Sequence, residues 1–157
     1  MIQRIQSVIL LAAVICSILL FILPVFTWTS SLNPSVYNIN TWETTRVTNG
    51  VSEQVYINRP LVAMNAIVII MTIAVIFMYK NRKRQSKMCH LLLLLQLILI
   101  CLLMVDWDLA TKLAGDGYNW YMGSGIIALV LPMVLFLLAR FYILKDEALV
   151  RSADRLR

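Results

Sequence analysis

Twenty consecutive residues from Ser7 to Phe26 carry no charge, and three further apolar runs follow it: Leu61 to Tyr79, Leu91 to about Val105, and Gly123 to Leu144. About 20 apolar residues cross a bilayer as an α-helix, because backbone polar groups must be satisfied within the segment where water is absent. With four such runs in 157 residues, little is left for a soluble catalytic domain. Composition agrees. The chain is 61% hydrophobic and 14% charged, where a soluble domain has about a quarter charged residues. An ordinary cytosolic domain and a disordered tail are excluded.

The first run follows Met1-Ile2-Gln3-Arg4, a head like that of a signal peptide. It is too long for a leader's apolar core, and no small-x-small cleavage site follows Pro24, so a retained helix is expected. The second run opens on Pro60, which suits a first helical turn. Five positive charges, Lys80, Arg82, Lys83, Arg84 and Lys87, then fall within eight positions. That short connection makes its flanking helices antiparallel neighbours. The third run is short and borrows His90 and Asp106-Trp107 at its ends. The fourth is interrupted by Pro132, which predicts a kink with neighbours satisfying the freed carbonyl.

Positive charge in short loops marks the cytoplasmic side of a membrane protein. In a four-span arrangement, Arg4, the cluster at 80–87, Arg140, Lys145, Arg151, Arg155 and Arg157 share one side, which is eleven of the 14 basic residues. Arg46, Arg59 and Lys112 lie opposite, offset by Glu43, Glu53, Asp106, Asp108 and Asp116. Both termini are therefore expected in the cytoplasm. The net charge of +6 becomes a topology signal, with no nucleic-acid partner implied. Cys16, Cys89 and Cys101 have neither disulfide nor metal spacing.

The predicted fold class is an all-α membrane protein, an antiparallel four-helix transmembrane bundle forming one integral membrane domain. Its helices cover about 7–26, 61–79, 91–106 and 123–144, with outer loops 27–60 and 107–122 and a cytoplasmic loop 80–90. An extracytoplasmic β-hairpin is expected between the first two helices. Its signal is Asn49-Gly50 between Val47 and Val51, the dipeptide of a type I′ turn. A two-residue turn sets Arg46 opposite Glu53, Thr44 opposite Val55 and Trp42 opposite Ile57. A lone hairpin is marginal in water, so it is expected to pack on the second outer loop or on a partner. That second loop holds Trp107, Tyr118, Trp120 and Tyr121, residues of the headgroup belt. A short turn at Asp108–Leu113 is expected to end at Gly115-Asp116-Gly117.

Polar residues at membrane depth are functional candidates. Asn65, Thr72, Gln96 and Arg140 are the candidate intramembrane polar contacts, with Ser17 and Ser124 also placed in spans. Gln96 and Arg140 are expected at similar depth, either bonded to each other or with Arg140 snorkelling to the interface. Gly123 and Gly125 suit close helix approach. Asp106 and Asp108 are two apart and diverge on a helix, making a poor chelator, and His90 lacks an orienting partner. Neither outer loop contains a cysteine pair for thiol redox chemistry. No carboxylate lies well inside a span to couple transport, and no protease constellation is evident. No catalytic residue, cofactor or metal site is expected.

After Leu144 the chain reads Lys145-Asp146-Glu147-Ala148-Leu149-Val150-Arg151-Ser152-Ala153-Asp154-Arg155-Leu156-Arg157, where Leu149, Ala153 and Leu156 recur at helical spacing. The segment suits either a docking helix or a solvated helical end. It contributes Arg151, Arg155 and Arg157 to the candidate contacts with a partner or with anionic headgroups, beside Lys80, Arg82, Lys83, Arg84 and Lys87. The starting residues Met1 to Ser7, the connection Tyr79-Lys80-Asn81-Arg82-Lys83 and the segment Lys145 to Arg157 resemble a small family of four-span inner-membrane proteins from Bacteroidota, a domain of unknown function. The resemblance implies a bacterial inner-membrane location and carries no catalytic residues.

The expected function is a noncatalytic accessory or scaffolding subunit of an inner-membrane complex. It docks through its basic cytoplasmic face, with the outer hairpin as a second surface. Its partner is an unidentified membrane protein or a second copy of itself, together with anionic phospholipid headgroups. The alternative is a small oligomeric carrier or channel whose path uses Asn65, Thr72, Gln96 and Arg140.

Overall fold

The computed structural model describes residues 2–30, 35–79, 81–114 and 118–154. Four helices, α1 (Ile2–Ile22), α2 (Arg59–Phe77), α3 (Arg82–Ala114) and α4 (Gly125–Asp154), are each long and apolar enough to cross a membrane. α1 packs on α2 and α4, and α3 packs on the same two, which closes a ring. Apolar side chains line both its inside and its outside. Leu10, Leu92 and Phe136 are fully enclosed, while Ile22, Ile70, Phe77 and Ile127 are each about two-thirds exposed or more. A helix that is apolar all round requires an apolar medium on its outer face.

The helices outrun the apolar runs of the sequence. α1 stops ahead of Pro24, as pre-proline backbone favours, and Phe26 belongs to a strand. α3 absorbs most of the expected 80–90 loop at one end, and at the other it continues through the expected turn at Asp108–Leu113 to Ala114. α4 extends to Asp154 and takes in most of the 145–157 segment. Lys, Arg and Glu are good helix formers, so these turns propagate the helix into water. Lys80, Gly115-Asp116-Gly117, Arg155 and Arg157 lie outside the described residues.

The expected hairpin is present as the edge of a larger five-stranded antiparallel sheet, not as a simple two-stranded element. Its strands are β1 (Phe26–Ser30), β2 (Ser35–Ile39), β3 (Glu43–Thr48), β4 (Val51–Ile57) and β5 (Tyr118–Met122), in the order β4-β3-β2-β1-β5. β5 comes from the second outer segment and pairs with β1, setting Trp28 opposite Trp120. The β3–β4 turn is as the sequence predicts, with φ of 52° at Asn49 and 81° at Gly50, and Arg46 faces Glu53. Beyond Thr45 a bulge shifts the register, so Thr44 faces Tyr56 rather than Val55, and Glu43 takes the place expected for Trp42 opposite Ile57. Trp42 lies outside the strand, its ring edge-on to Phe21 at 6.4 Å.

The registers bring Phe26, Met122, Ile39, Thr44 and Tyr56 to one end of the sheet. There β1 leaves α1, β4 enters α2 and β5 enters α4, so the sheet stands on three helix ends. Phe26, Trp28, Tyr37 and Ile39 bury against Leu20, Leu61, Leu99, Leu103 and Ala110. Trp107 of α3 packs between Phe26 and Trp120, with centroids 6.4 and 6.1 Å away. A second core, including Leu10, Val68, Leu92, Phe136 and Ile143, fills the other half of the bundle. The approach of α4 to α1 depends on glycine. Gly123 N–H donates to Val25 O at 2.8 Å and Gly125 N–H to Pro24 O at 2.9 Å, and a Cβ on Gly123 would stand 2.2 Å from Pro24 O.

Candidate functional site

Polar side chains gather at three levels of the bundle. In the middle, Asn65 is fully buried and its Nδ2 donates to Ser17 O at 2.9 Å, tying α2 to α1. Thr72 returns its hydroxyl to Val68 O of its own helix at 2.6 Å, and Ser17 likewise donates to Ala13 O at 3.0 Å. Gln96, 1% exposed, donates from Nε2 to Leu129 O on α4 at 2.8 Å. Pro132 lies inside α4 and supplies no N–H to its preceding turn, and the Gln96 amide reaches that turn. Gln96 does not meet Arg140, which is eleven residues further along α4, about 16 Å at helical rise. Of the two arrangements expected for Arg140, the bond to Gln96 does not form, because Gln96 bonds α4 at a different level.

At the sheet end, Thr41 Oγ1 donates to Leu20 O at 2.9 Å and so caps α1. Asn58 Nδ2 donates to Asn40 O at 2.9 Å beneath the sheet. The bulge turns Tyr56 inward toward Thr44 and the Asp106 carboxylate. Burial raises the Tyr56 hydroxyl above the ordinary tyrosine value, Thr44 pulls it the other way, and the Asp106 charge raises it further. Thr44 Oγ1, Tyr56 OH and Asp106 Oδ2 are all enclosed without a well-formed hydrogen bond among the described residues. Asp108 diverges from this group and pairs with Lys112 at 2.7 Å on the surface. Two carboxylates two residues apart thus serve separate surroundings, as helix geometry requires.

At the basic end, the charge cluster divides by helix face. Arg82 turns inward, with Nη2 3.1 Å from Asp146 Oδ2, and it also donates to Asp146 O at 3.5 Å. Gln85 donates to Val75 O of α2 at 3.2 Å. Lys83, Arg84, Lys87 and His90 are exposed on the other face of α3, and Lys145 is exposed on α4. Arg151 continues the α4 backbone. Arg140 is half-buried with its Nε enclosed, close enough to Cys89 for its charge to act on that thiol. Sequence reasoning missed Asp146 and Gln85, whose partners are 64 and 10 residues away, and Thr44 and Tyr56, whose facing depends on the bulge.

These features define a small protein of four membrane-competent helices crowned at one end by an antiparallel sheet and basic at the other. The chain belongs to the family described as Domain of unknown function (DUF4293), which matches residues 2–156. No curated protein matches it.

Proposed function

We propose that this chain is a noncatalytic accessory or scaffolding subunit of a bacterial inner-membrane complex, an antiparallel transmembrane bundle with both termini in the cytoplasm. The reading is carried by the division of the basic cluster. Arg82 is held by Asp146 across α3 and α4, and this fixes a helical ridge on which Lys83, Arg84 and Lys87 face solvent. A preorganised basic ridge suits an acidic partner surface, and each cation near anionic headgroups contributes about 1 kcal/mol. The mid-bundle hydrogen bonds favour the same reading over a carrier. Asn65 and Gln96 direct their donors to carbonyls of neighbouring helices, which locks those helices together, and Thr72 returns its hydroxyl to its own helix, so none of the three donors is left to line a path.

Replacing Lys83, Arg84 and Lys87 together by alanine tests the reading. Insertion and folding are expected to be unchanged, while co-purification of the partner from native membranes falls. Unchanged co-purification contradicts docking through the ridge.

A further inference from the structure

One polar layer remains unexplained by this reading. Gln6 of α1 is 3% exposed, yet its Nε2 has no hydrogen-bond partner among the described residues. Arg140 of α4 makes no ion pair among them, and its Nε is enclosed without a partner. The two belong to one level. Gly125 of α4 meets Leu23 and Pro24, which directly follow α1. Gln6 lies 17 residues from Leu23, and Tyr142 lies 17 from Gly125, each about 26 Å from the contact at helical rise. Arg140 therefore lies within a turn of the level of Gln6 along the bundle. On the other flank, the Gln96–Leu129 and Arg82–Asp146 contacts bracket α3 against α4. Arg140 falls beside residues 86–89, in accord with the reach of its charge to Cys89. Ser86, 7% exposed, lies in that segment.

This layer has donors in excess. It contains a guanidinium, an amide N–H pair and a hydroxyl, while the charge of the Asp146 carboxylate, six residues along α4 from Arg140, is already paired with Arg82, although its Oδ2 makes no hydrogen bond. A cation at membrane depth without a counter-charge is costly, and an enclosed donor needs an acceptor. The complementary ligand is therefore an anion with several acceptor oxygens, for which a guanidinium fork is suited. The layer sits where α3 and α4 leave the apolar zone, rimmed by the exposed Arg84, Lys87 and Lys145. Basic pockets between membrane helices at this depth take lipid headgroups. We propose that Arg140, with Gln6 and Ser86, holds the phosphate of one anionic phospholipid. The site goes beyond the scaffolding reading and does not depend on it, since no partner protein enters.

The test is native mass spectrometry of the full chain in detergent with phosphatidylglycerol, phosphatidylcholine or inorganic phosphate added. One phosphatidylglycerol is expected to stay bound per chain. R140Q is expected to weaken its retention about tenfold or more, the size of a charge-assisted hydrogen bond, and Q6M about threefold, the size of a neutral one. R140K keeps the charge without the fork and falls between wild type and R140Q. The alanine variant of Lys83, Arg84 and Lys87 keeps this one lipid, so the lipid site and the docking ridge fail separately. Equal retention by wild type, R140Q and Q6M overturns the proposal. So does equal retention of phosphatidylcholine, or displacement of the lipid by equimolar inorganic phosphate. Near-ultraviolet circular dichroism of the distant tryptophans verifies that each variant is folded.

Discussion

Gln96 on α3 donates its side-chain amide to the backbone carbonyl of Leu129 on α4, at 2.8 Å and in a fully enclosed position. The bond reaches the turn that precedes Pro132, where the helix has lost a donor. Interhelical hydrogen bonds in membrane proteins average about 0.6 kcal/mol and reach about 1.7. Gln96 bonds Leu129 O, beside the Ala128 carbonyl that Pro132 leaves free, and Gln96→Leu is expected to lower stability within that range, read by unfolding in mixed micelles. An unchanged midpoint would show that the amide is dispensable to α4.

The Arg82–Asp146 contact supports a second prediction. It is a largely shielded ion pair, with side-chain exposures of 25% and 10%, and lies between an exposed pair, which contributes about 1 kcal/mol, and a buried one, whose breaking costs about 3 kcal/mol. Asp146→Asn and Arg82→Gln should each lose stability in this range. The double variant should lose less than the two single losses combined, as expected of a directly interacting pair. Fully additive losses would mean that the two groups act independently.

Tyr56 makes the sheet end sensitive to alkali. Burial, aided by the Asp106 charge, raises its folded-state value above the ordinary 10.0. The folded chain therefore holds this proton more tightly than the unfolded chain. The resulting stabilisation is complete below pH 10.0 and is lost as pH rises through the folded-state value. Tyr56→Phe should flatten that alkaline limb, and Asp106→Asn should move the tyrosinate transition to lower pH by removing the repelling charge. An ultraviolet titration of the folded chain measures both.

The contact of α4 with α1 tolerates no side chain at Gly123. A methyl group there would stand 2.2 Å from the Pro24 carbonyl oxygen, a backbone atom that cannot turn aside, so the two segments must separate. Gly123→Ala is expected to cost about 1–3 kcal/mol, as overpacking does. Gly50→Ala meets no neighbour within 4 Å, and its cost is conformational because φ is +81°. That cost is about 1–2 kcal/mol. Thermal midpoints of the two variants separate packing from backbone strain.

The four helices were legible because uncharged runs from Ser7, Leu61, Leu91 and Gly123 onward leave the backbone no other way to satisfy itself in an apolar medium. The Asn49-Gly50 turn was legible because its chemistry is local. The sheet around it was not. β1 and β5 lie over 90 residues apart in parts of their pairing, and strands of five residues carry too little alternation to announce a partner. The bulge after Thr44, which sets Tyr56 opposite Thr44, has no local signal in the strand. At the basic end, composition marked the cluster but could not distinguish Arg82, which faces Asp146, from Lys83 and Arg84 beside it. The polar candidates Asn65 and Gln96 were visible from depth alone, while their acceptors are backbone carbonyls, which no residue pattern encodes.

The central claim is that a rigid basic ridge docks this chain onto another protein. Affinity purification from gently solubilised native membranes, with mass spectrometry of what remains bound, tests it most directly. The account predicts a stoichiometric neighbour that wild type retains and that the Lys83, Arg84 and Lys87 alanine variant loses at unchanged insertion. A pure homo-oligomer whose solute flux in vesicles depends on Gln96 and Arg140 would contradict it.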